Sequence, residues 1–142
     1  MLKPRRVLLA DDDLHVRSGV EELLAPYGLE FVRAESGVEA LEIARARLSR
    51  PDLFAQLDLM VLDLHMPGCT GLDVLTSLKS DRAVQRVPPC IFYSGEATEE
   101  LRRRAFDAGA WAFLSKPVQP DLLRGEVLRA LREVHREGPF AT

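Results

Sequence analysis

The sequence predicts an α/β protein in which a doubly wound sheet of five parallel strands is covered by five helices. Short apolar runs of β type alternate with helical patterns, which is typical of parallel strands joined by right-handed crossovers. The runs are VLLA (7–10), LEFVRA (29–34), LMVLD (59–63), CIFY (90–93) and WAFLS (111–115). The first, third and fourth runs are almost continuously apolar, which favours strands buried on both faces.

The size and charge of the chain are those of one globular domain. Its 142 residues are enough to bury a core, and we expect one domain over 1–142, with its core at about 5–136 and a short tail at 137–142. The 19 Lys and Arg residues against 22 Asp and Glu residues give a net charge of −3, which does not indicate a nucleic-acid partner. No segment approaches the ~20 apolar residues of a membrane span, so we expect a cytoplasmic protein without a membrane partner.

The first two helices follow from the spacing of apolar residues. The first is predicted to stop at the PYG sequence of residues 26–28. Its inward residues are expected to be Val16, Val20, Leu23 and Leu24. Ser36 and Glu39 have the spacing of a capping box and are predicted to open the second helix. Its inward residues are expected to be Val38, Leu41, Ala44 and Leu48.

The other three helices carry their own start signals. Thr70 and Asp73 should open the third helix, and the fourth should begin near Thr98 and end at Gly109. Pro120 is expected near the first turn of the fifth helix. The buried residues are predicted to be Leu72, Leu75 and Leu78 in the third helix and Leu123, Val127, Leu131 and Val134 in the fifth.

Two further features of the sequence do not indicate a specific function. The connection SRPDLFAQLD, residues 49–58, is longer than a compact unit needs, and it is either a tolerated surface insertion or a docking loop. Cys69 and Cys90 have no metal or redox spacing, so we expect both to be reduced thiols without a chemical role.

Polar side chains follow the strands of the predicted sheet at their carboxyl ends. Asp11, Asp12 and Asp13 follow the first strand, Asp63 ends the third, Ser94 follows the fourth and Lys116 follows the fifth. In an open α/β sheet, ligands bind outside the carboxyl ends of the strands. If these strands are neighbours, the acids, the hydroxyl and the ammonium group meet in one crevice.

A cluster of carboxylates requires a partner. Two carboxylates about 4 Å apart repel by roughly 4 kcal/mol at an effective dielectric near 20, so a close cluster needs a cation or a proton. Oxygen ligands without cysteine or paired histidine select a hard cation such as Mg²⁺, which also accepts phosphate oxygens. With that cation and Lys116 neutralising a phosphoryl group, a neighbouring carboxylate could attack phosphorus and form an acyl phosphate.

Four motifs in this order carry a resemblance to a known family. VLLADDD, LMVLDLHMPGCTG, FYSG and FLSKP resemble the receiver domain of two-component response regulators, and the chain is similar to the chemotaxis response regulator. The resemblance runs from about Val7 to His135. It implies the flavodoxin-like strand order 2-1-3-4-5.

The resemblance assigns roles at the strand ends. Asp63 matches the phosphoacceptor. Asp11 and Asp12 match the acidic pair that holds Mg²⁺, and the backbone carbonyl of His65 would be another ligand. Asp13 is not one of these ligands, and we expect it to cap the first helix.

The resemblance also assigns the groups that respond to the phosphoryl group. Ser94 matches the hydroxyl that reorients toward it, and Lys116 matches the cation that pairs with it. Phe113 matches the switch aromatic, and the Lys116–Pro117 bond matches the cis peptide of the family. Strand alternation places Trp111 on the same face as Phe113, so its fluorescence should report the switch.

The function that this implies is regulatory. A histidine kinase or phosphotransfer protein would donate a phosphoryl group to Asp63 in a Mg²⁺-dependent step that the domain itself catalyses, and the protein would not be an enzyme otherwise. The surface of the fourth helix, fifth strand and fifth helix would then change shape for an unidentified downstream protein. A homodimer through that surface is possible by family analogy alone.

Two other functions stay open. One is a receiver-shaped interaction module that works without phosphorylation. The other is a phosphatase with an aspartate nucleophile, similar to the haloacid dehalogenase family, because Asp11 and Asp13 have the required spacing. His15, however, stands where that pattern has Thr or Val.

Overall fold

The structure is a computed structural model that describes residues 4–52 and 55–136, with side chains through 133. The strands are β1 (Arg6–Ala10), β2 (Glu30–Ala34), β3 (Leu59–Asp63), β4 (Cys90–Ser94) and β5 (Ala112–Ser115). The α-helices are α1 (Leu14–Leu24), α2 (Gly37–Leu48), α3 (Gly71–Ser80), α4 (Glu99–Asp107) and α5 (Pro120–Arg136), and a 3₁₀-helix (Ala25–Tyr27) follows α1. The predicted alternation of strands and helices is therefore confirmed.

The strands form one parallel sheet in the order β2-β1-β3-β4-β5. In the register, Leu8 of β1 lies opposite Val32 of β2 and Met60 of β3. Winding reverses between β1 and β3, and ligands of such sheets bind at that reversal. The order confirms the flavodoxin-like topology, and the carboxyl ends of β1 and β3 are adjacent.

Two cores lie on opposite faces of the sheet. Alternate residues of β3 divide between them, since Met60 belongs to one core and Val61 to the other. The first core contains the buried residues of α2, α3 and α4, whereas the second contains those of α1 and α5. Every residue of β3 and β4 is buried, as their apolar sequences predict.

Side chains cap the helices at the predicted positions. The Asp13 carboxylate accepts hydrogen bonds from the backbone N–H groups of His15 and Val16 at the start of α1. Thr70 and Asp73 form a reciprocal capping box at α3. These bonds satisfy backbone donors that the first turn of a helix leaves unpaired.

The amino end of α2 differs from the sequence prediction. The predicted inward position of Val38 is wrong, because its side chain is 51% exposed. Of the predicted capping box, the structure describes only the bond in which Ser36 Oγ accepts from the Glu39 backbone N–H. Gly37 and Ala40 are buried instead. The other predicted inward residues face the core, since Ala44 and Leu48 are buried and Leu41 packs against the same core. At the first turn, Gly37 lies against Cys69 in the loop between β3 and α3.

The described part of the connection from α2 to β3 packs onto the domain. Ala55 and Leu57 are buried, and Arg47 Nη1 donates to the Ala55 carbonyl oxygen over 3.1 Å. The predicted burial of Val134 and the tail at 137–142 lie outside the described side chains. No helix in the described ranges is long and apolar enough to cross a membrane.

Gly37→Ala is expected to lower the free energy of unfolding by about 1–3 kcal/mol, because a buried position without space is overpacked by a methyl group. The added carbon would lie 1.8 Å from the Cys69 carbonyl oxygen. Urea unfolding measures the change. The control is Gly125→Ala on the exposed side of α5, where nothing lies within 4 Å of the added carbon. Gly125→Ala should leave the free energy of unfolding unchanged or raise it. An equal decrease in both variants would contradict the close approach of Gly37 to Cys69.

Candidate functional site

Three carboxylates meet at the carboxyl ends of β1 and β3. Asp11 and Asp12 follow β1, and Asp63 is the last residue of β3. One carboxylate oxygen from each lies within 4.8 Å of the others. Asp11 and Asp63 are buried, whereas Asp12 is exposed at the mouth of the site.

Asp11 is held by donors on both of its carboxylate oxygens. Its Oδ1 accepts from the Asp13 backbone N–H over 2.8 Å, and its Oδ2 accepts from the Tyr93 hydroxyl over 2.7 Å. The carbonyl oxygen of Asp11 accepts from Arg17 Nη1 over 2.7 Å. Main chain and side chain of Asp11 are therefore both anchored.

Asp63 is held by the loop that follows it and by Lys116. Its Oδ1 accepts from the His65 backbone N–H over 3.2 Å, and Lys116 Nζ lies 3.1 Å from its Oδ2. The same ammonium group lies 3.7 Å from Asp11 Oδ2. Lys116 follows β5, which lies two strands from β3 in the sheet. Its ammonium group contacts both buried carboxylates.

The surroundings of Asp11 act on its pKa in opposite directions. Burial raises the pKa of Asp11 above its usual 3.8, and the negative charge of Asp63 adds to that increase. The hydrogen bonds from Asp13 and Tyr93 and the charge of Lys116 lower the pKa of Asp11. Burial likewise raises the pKa of Tyr93, and its neighbour Asp11 raises it further, so the phenol keeps its proton.

Ser94 is buried at the carboxyl end of β4, and His65 is exposed in the loop that follows β3. The Ser94 hydroxyl donates to the Glu96 carbonyl oxygen and accepts from the Glu96 N–H, both over 3.0 Å, so its described bonds are not to Asp63. The exposed His65 side chain has its Nε2 3.5 Å from a carboxylate oxygen of Glu96. The Lys116–Pro117 peptide bond beside them is cis.

Phe113 points inward. Its side chain is 3% exposed and belongs to the core on the α2, α3 and α4 side of the sheet. Arg102 of α4 covers it, with the guanidinium 5.8 Å from the ring and Nη1 donating to the Phe113 carbonyl oxygen over 3.2 Å. The same guanidinium lies 5.7 Å from the exposed ring of Phe106. Arg102 therefore links α4 to the predicted switch residue.

The prediction that Trp111 shares a face with Phe113 is wrong. Trp111 packs against the core on the α1 and α5 side, and its indole N–H donates to Glu126 over 3.1 Å. The reason is that β5 begins at Ala112. Trp111 precedes the extended strand, so strand alternation does not apply to it. Both aromatic residues nevertheless line one groove of about 790 Å³ between α4 and α5.

Tyr93 and Arg17 are site residues that the sequence reasoning missed. Both contact Asp11, and both are buried. Tyr93 lies in an apolar run that reads as core, and only its hydroxyl distinguishes it from the neighbouring side chains. Arg17 lies on the buried side of a helix where a charged residue is unusual, and that placement was the available signal.

The donor set fits a small hard cation. All three side-chain ligands that the structure brings together offer carboxylate oxygens, and an all-oxygen set selects Mg²⁺ or a similar ion rather than a soft metal. Lys116 supplies one positive charge for the two buried carboxylates, so the described cluster keeps an excess of negative charge. A divalent cation would balance it.

The chain belongs to the response regulator receiver domain family, whose sequence profile matches residues 7–128. It is 36% identical over 115 residues to the transcriptional regulatory protein PdtaR of Mycobacterium tuberculosis, covering 80% of this chain and 50% of PdtaR. It is 33% identical over 141 residues to the transcriptional activator protein ExaE of Pseudomonas putida, covering 96% of this chain and 60% of ExaE. The chain spans about half the length of the first curated relatives that it matches.

A solved structure agrees with the fold. A CheY-like receiver domain protein from Methanospirillum hungatei matches with a TM-score of 0.77 at 25% identity, covering 96% of this chain and 100% of that chain. The resemblance inferred from the motifs is thus confirmed. Receiver domains are regulatory parts of two-component systems rather than classical enzymes, and the family interacts with histidine kinases or phosphotransfer proteins.

Asp12→Asn is expected to raise the thermal unfolding midpoint in EDTA at low salt, because it removes one of three like charges from the cluster. Added salt should shrink the gain, since Asp12 is exposed and its interactions are screened. Calorimetry measures the midpoint. Glu42→Gln, at an exposed position of α2, is the control for removing a surface acid. A midpoint that stays equal to that of the parent would show that the cluster carries no repulsion.

Proposed function

We propose that this chain is a phosphoacceptor receiver domain, in which Asp63 accepts a phosphoryl group from a histidine kinase or phosphotransfer protein in a Mg²⁺-dependent step. One observation carries the proposal. The buried Asp63 carboxylate has an ammonium group at 3.1 Å and lies with two further carboxylates within 4.8 Å, at the edge where such sheets bind ligands.

Asp63 would act as the nucleophile. An oxygen of its carboxylate attacks phosphorus, and the bond from phosphorus to the donor nitrogen breaks with its electron pair staying on the imidazole. The product is an acyl phosphate on Asp63. Lys116, already within 3.1 Å of Asp63, would pair with the phosphoryl oxygens and so stabilise their charge.

The remaining acids would hold the metal. Asp11, Asp12, Asp63 and the backbone carbonyl of His65 are the proposed Mg²⁺ ligands, and their oxygen chemistry supports the choice. When bound, Mg²⁺ would neutralise both the carboxylates and the phosphoryl oxygens. Asp11 is held from two sides, so its carboxylate is oriented before any ligand binds.

Ser94 and Phe113 would connect the site to the surface. Ser94 would exchange its bonds to the Glu96 backbone for one to the phosphoryl group. Because Phe113 is already buried beneath Arg102, we propose that phosphorylation stabilises this inward arrangement within a two-state equilibrium. The altered surface would be that of α4, β5 and α5, including the groove between α4 and α5.

The partner of that surface would be a downstream protein of the signalling system. A homodimer, a single receiver unit over 1–142 and a cytoplasmic location stay predictions. The phosphatase alternative has less support, because the Asp13 carboxylate that it needs accepts hydrogen bonds from the first turn of α1.

Incubation with acetyl phosphate and Mg²⁺ is expected to add one phosphoryl group to the chain, because Asp63 carries the nucleophile and Lys116 and the metal ligands lie around it. Intact-mass spectrometry detects the product, and hydroxylamine should remove it as it cleaves acyl phosphates. The group should be absent from Asp63→Asn and from a sample with EDTA.

Asp13→Asn is the matched control, because asparagine also caps helices well and the charge is removed one residue from the proposed ligands. It should be phosphorylated like the parent, whereas a phosphatase that uses Asp13 would lose its activity. A parent that gains no phosphoryl group and does not bind beryllofluoride would contradict phosphotransfer and favour the phosphorylation-independent module.

Beryllofluoride with Mg²⁺ is expected to change the fluorescence of Trp111, the single tryptophan of the chain. This expectation does not depend on strand alternation. Trp111 lines the same groove as Phe113, and its indole N–H donates a hydrogen bond to Glu126 of α5. Steady-state emission measures the change, with Asp63→Asn as the control. An unchanged spectrum in a parent that binds beryllofluoride would show that the switch does not reach this groove.

A further inference from the structure

We propose that Tyr93 is a positioning residue that orients the Asp11 carboxylate for Mg²⁺ through its hydroxyl group. The inference rests on the proposed function, since it concerns the same metal site. It adds a residue that none of the four sequence motifs assigns a role.

The hydroxyl of Tyr93 reaches across the sheet to Asp11. Tyr93 lies in β4, where its register partner in β3 is Asp63, and β3 separates it from β1. The side chain is fully buried on the α1 and α5 side, and its oxygen lies 2.7 Å from Asp11 Oδ2. This distance is typical of a strong O–H···O⁻ hydrogen bond to a charged acceptor.

Two donors together determine the orientation of the Asp11 carboxylate. The Asp13 N–H contacts one oxygen and the Tyr93 hydroxyl contacts the other, so rotation of the carboxylate would break one of these bonds. An ionised carboxylate has about four acceptor positions. Positions therefore remain for a metal ion and for Lys116, whose ammonium group lies 3.7 Å from Oδ2.

The ring of Tyr93 has a separate role from its hydroxyl. The Lys116 ammonium group lies 5.2 Å from the ring centre, within the range of a cation–π contact. Tyr93→Phe keeps this ring and the packing of the core, and removes the hydroxyl that donates to Asp11 over 2.7 Å and lies 3.5 Å from the Ala10 carbonyl oxygen. The variant thus isolates the orienting bond from the support of Lys116.

Metal selectivity separates orientation from general stability. Mg²⁺ requires nearly ideal octahedral geometry, whereas Ca²⁺ accepts variable geometry and more ligands. A carboxylate that loses its orientation should therefore bind Mg²⁺ less well while its affinity for Ca²⁺ changes less. A variant that merely loosens the fold would weaken both ions alike.

The test is isothermal titration of Mg²⁺ and Ca²⁺ into the parent, Tyr93→Phe and Tyr27→Phe. We expect the Kd for Mg²⁺ to rise about tenfold in Tyr93→Phe, the size typical of losing a group that orients a metal ligand. The Kd for Ca²⁺ should rise less. Tyr27→Phe, at the other tyrosine of the chain and 39% exposed, should match the parent.

A second measurement uses the parent alone, so it does not depend on the folding of a variant. With ¹³C at Cζ of tyrosine, the two tyrosines give two NMR signals, and Tyr27→Phe assigns them. Mg²⁺ should shift the Tyr93 signal, because the acceptor of its hydroxyl becomes a metal ligand. The Tyr27 signal should stay in place.

The outcomes distinguish the inference from the proposed function. If the parent binds Mg²⁺ and is phosphorylated, an unchanged Kd in Tyr93→Phe, equal losses for both ions or an unshifted Tyr93 signal would overturn the role of Tyr93 alone. If the parent binds no Mg²⁺ at all, both the role of Tyr93 and the proposed metal site are overturned.

Discussion

The contact between Lys116 and two buried carboxylates is the interaction on which the site depends. Asp11 and Asp63 are both buried, and their like charges would repel strongly at this separation without a cation. Lys116 Nζ lies 3.1 Å from one and 3.7 Å from the other. It balances part of the charge and leaves an excess of negative charge, which suits a divalent cation.

The sheet order makes this contact possible. With β3 between β1 and β4, and β5 beyond β4, the ends of the strands that carry the acids, the hydroxyl and the lysine lie along one edge. All residues of β3 and β4 are buried, so the strands that end at Asp63 and Ser94 are packed on both faces. The packing of two cores stabilises the fold as a whole, which offsets the cost of keeping like charges close together.

Much of the fold and most of the candidate site could be predicted from the sequence. Apolar runs and caps locate the five strands and the five α-helices of the described residues, because both depend on residues close together in the chain. The predictions for Val38 and Trp111 were wrong for a common reason. Each assumed that a regular pattern extends to the end of an element, whereas Gly37 is the buried residue in the first turn of α2 and the pairing of β5 with β4 begins at Ala112.

The sequence by itself determined the class of fold, the membership of the receiver family and the acids, hydroxyl and lysine at the strand ends, since motifs and periodicity are local. Only the tertiary structure decided which side chains reach these acids from a distance. Tyr93 and Asp11 are 82 residues apart in the chain, and their contact follows from the order of the strands and the face on which each side chain lies. Such a contact has no local signature, because its geometry exists only once β1, β3 and β4 are assembled.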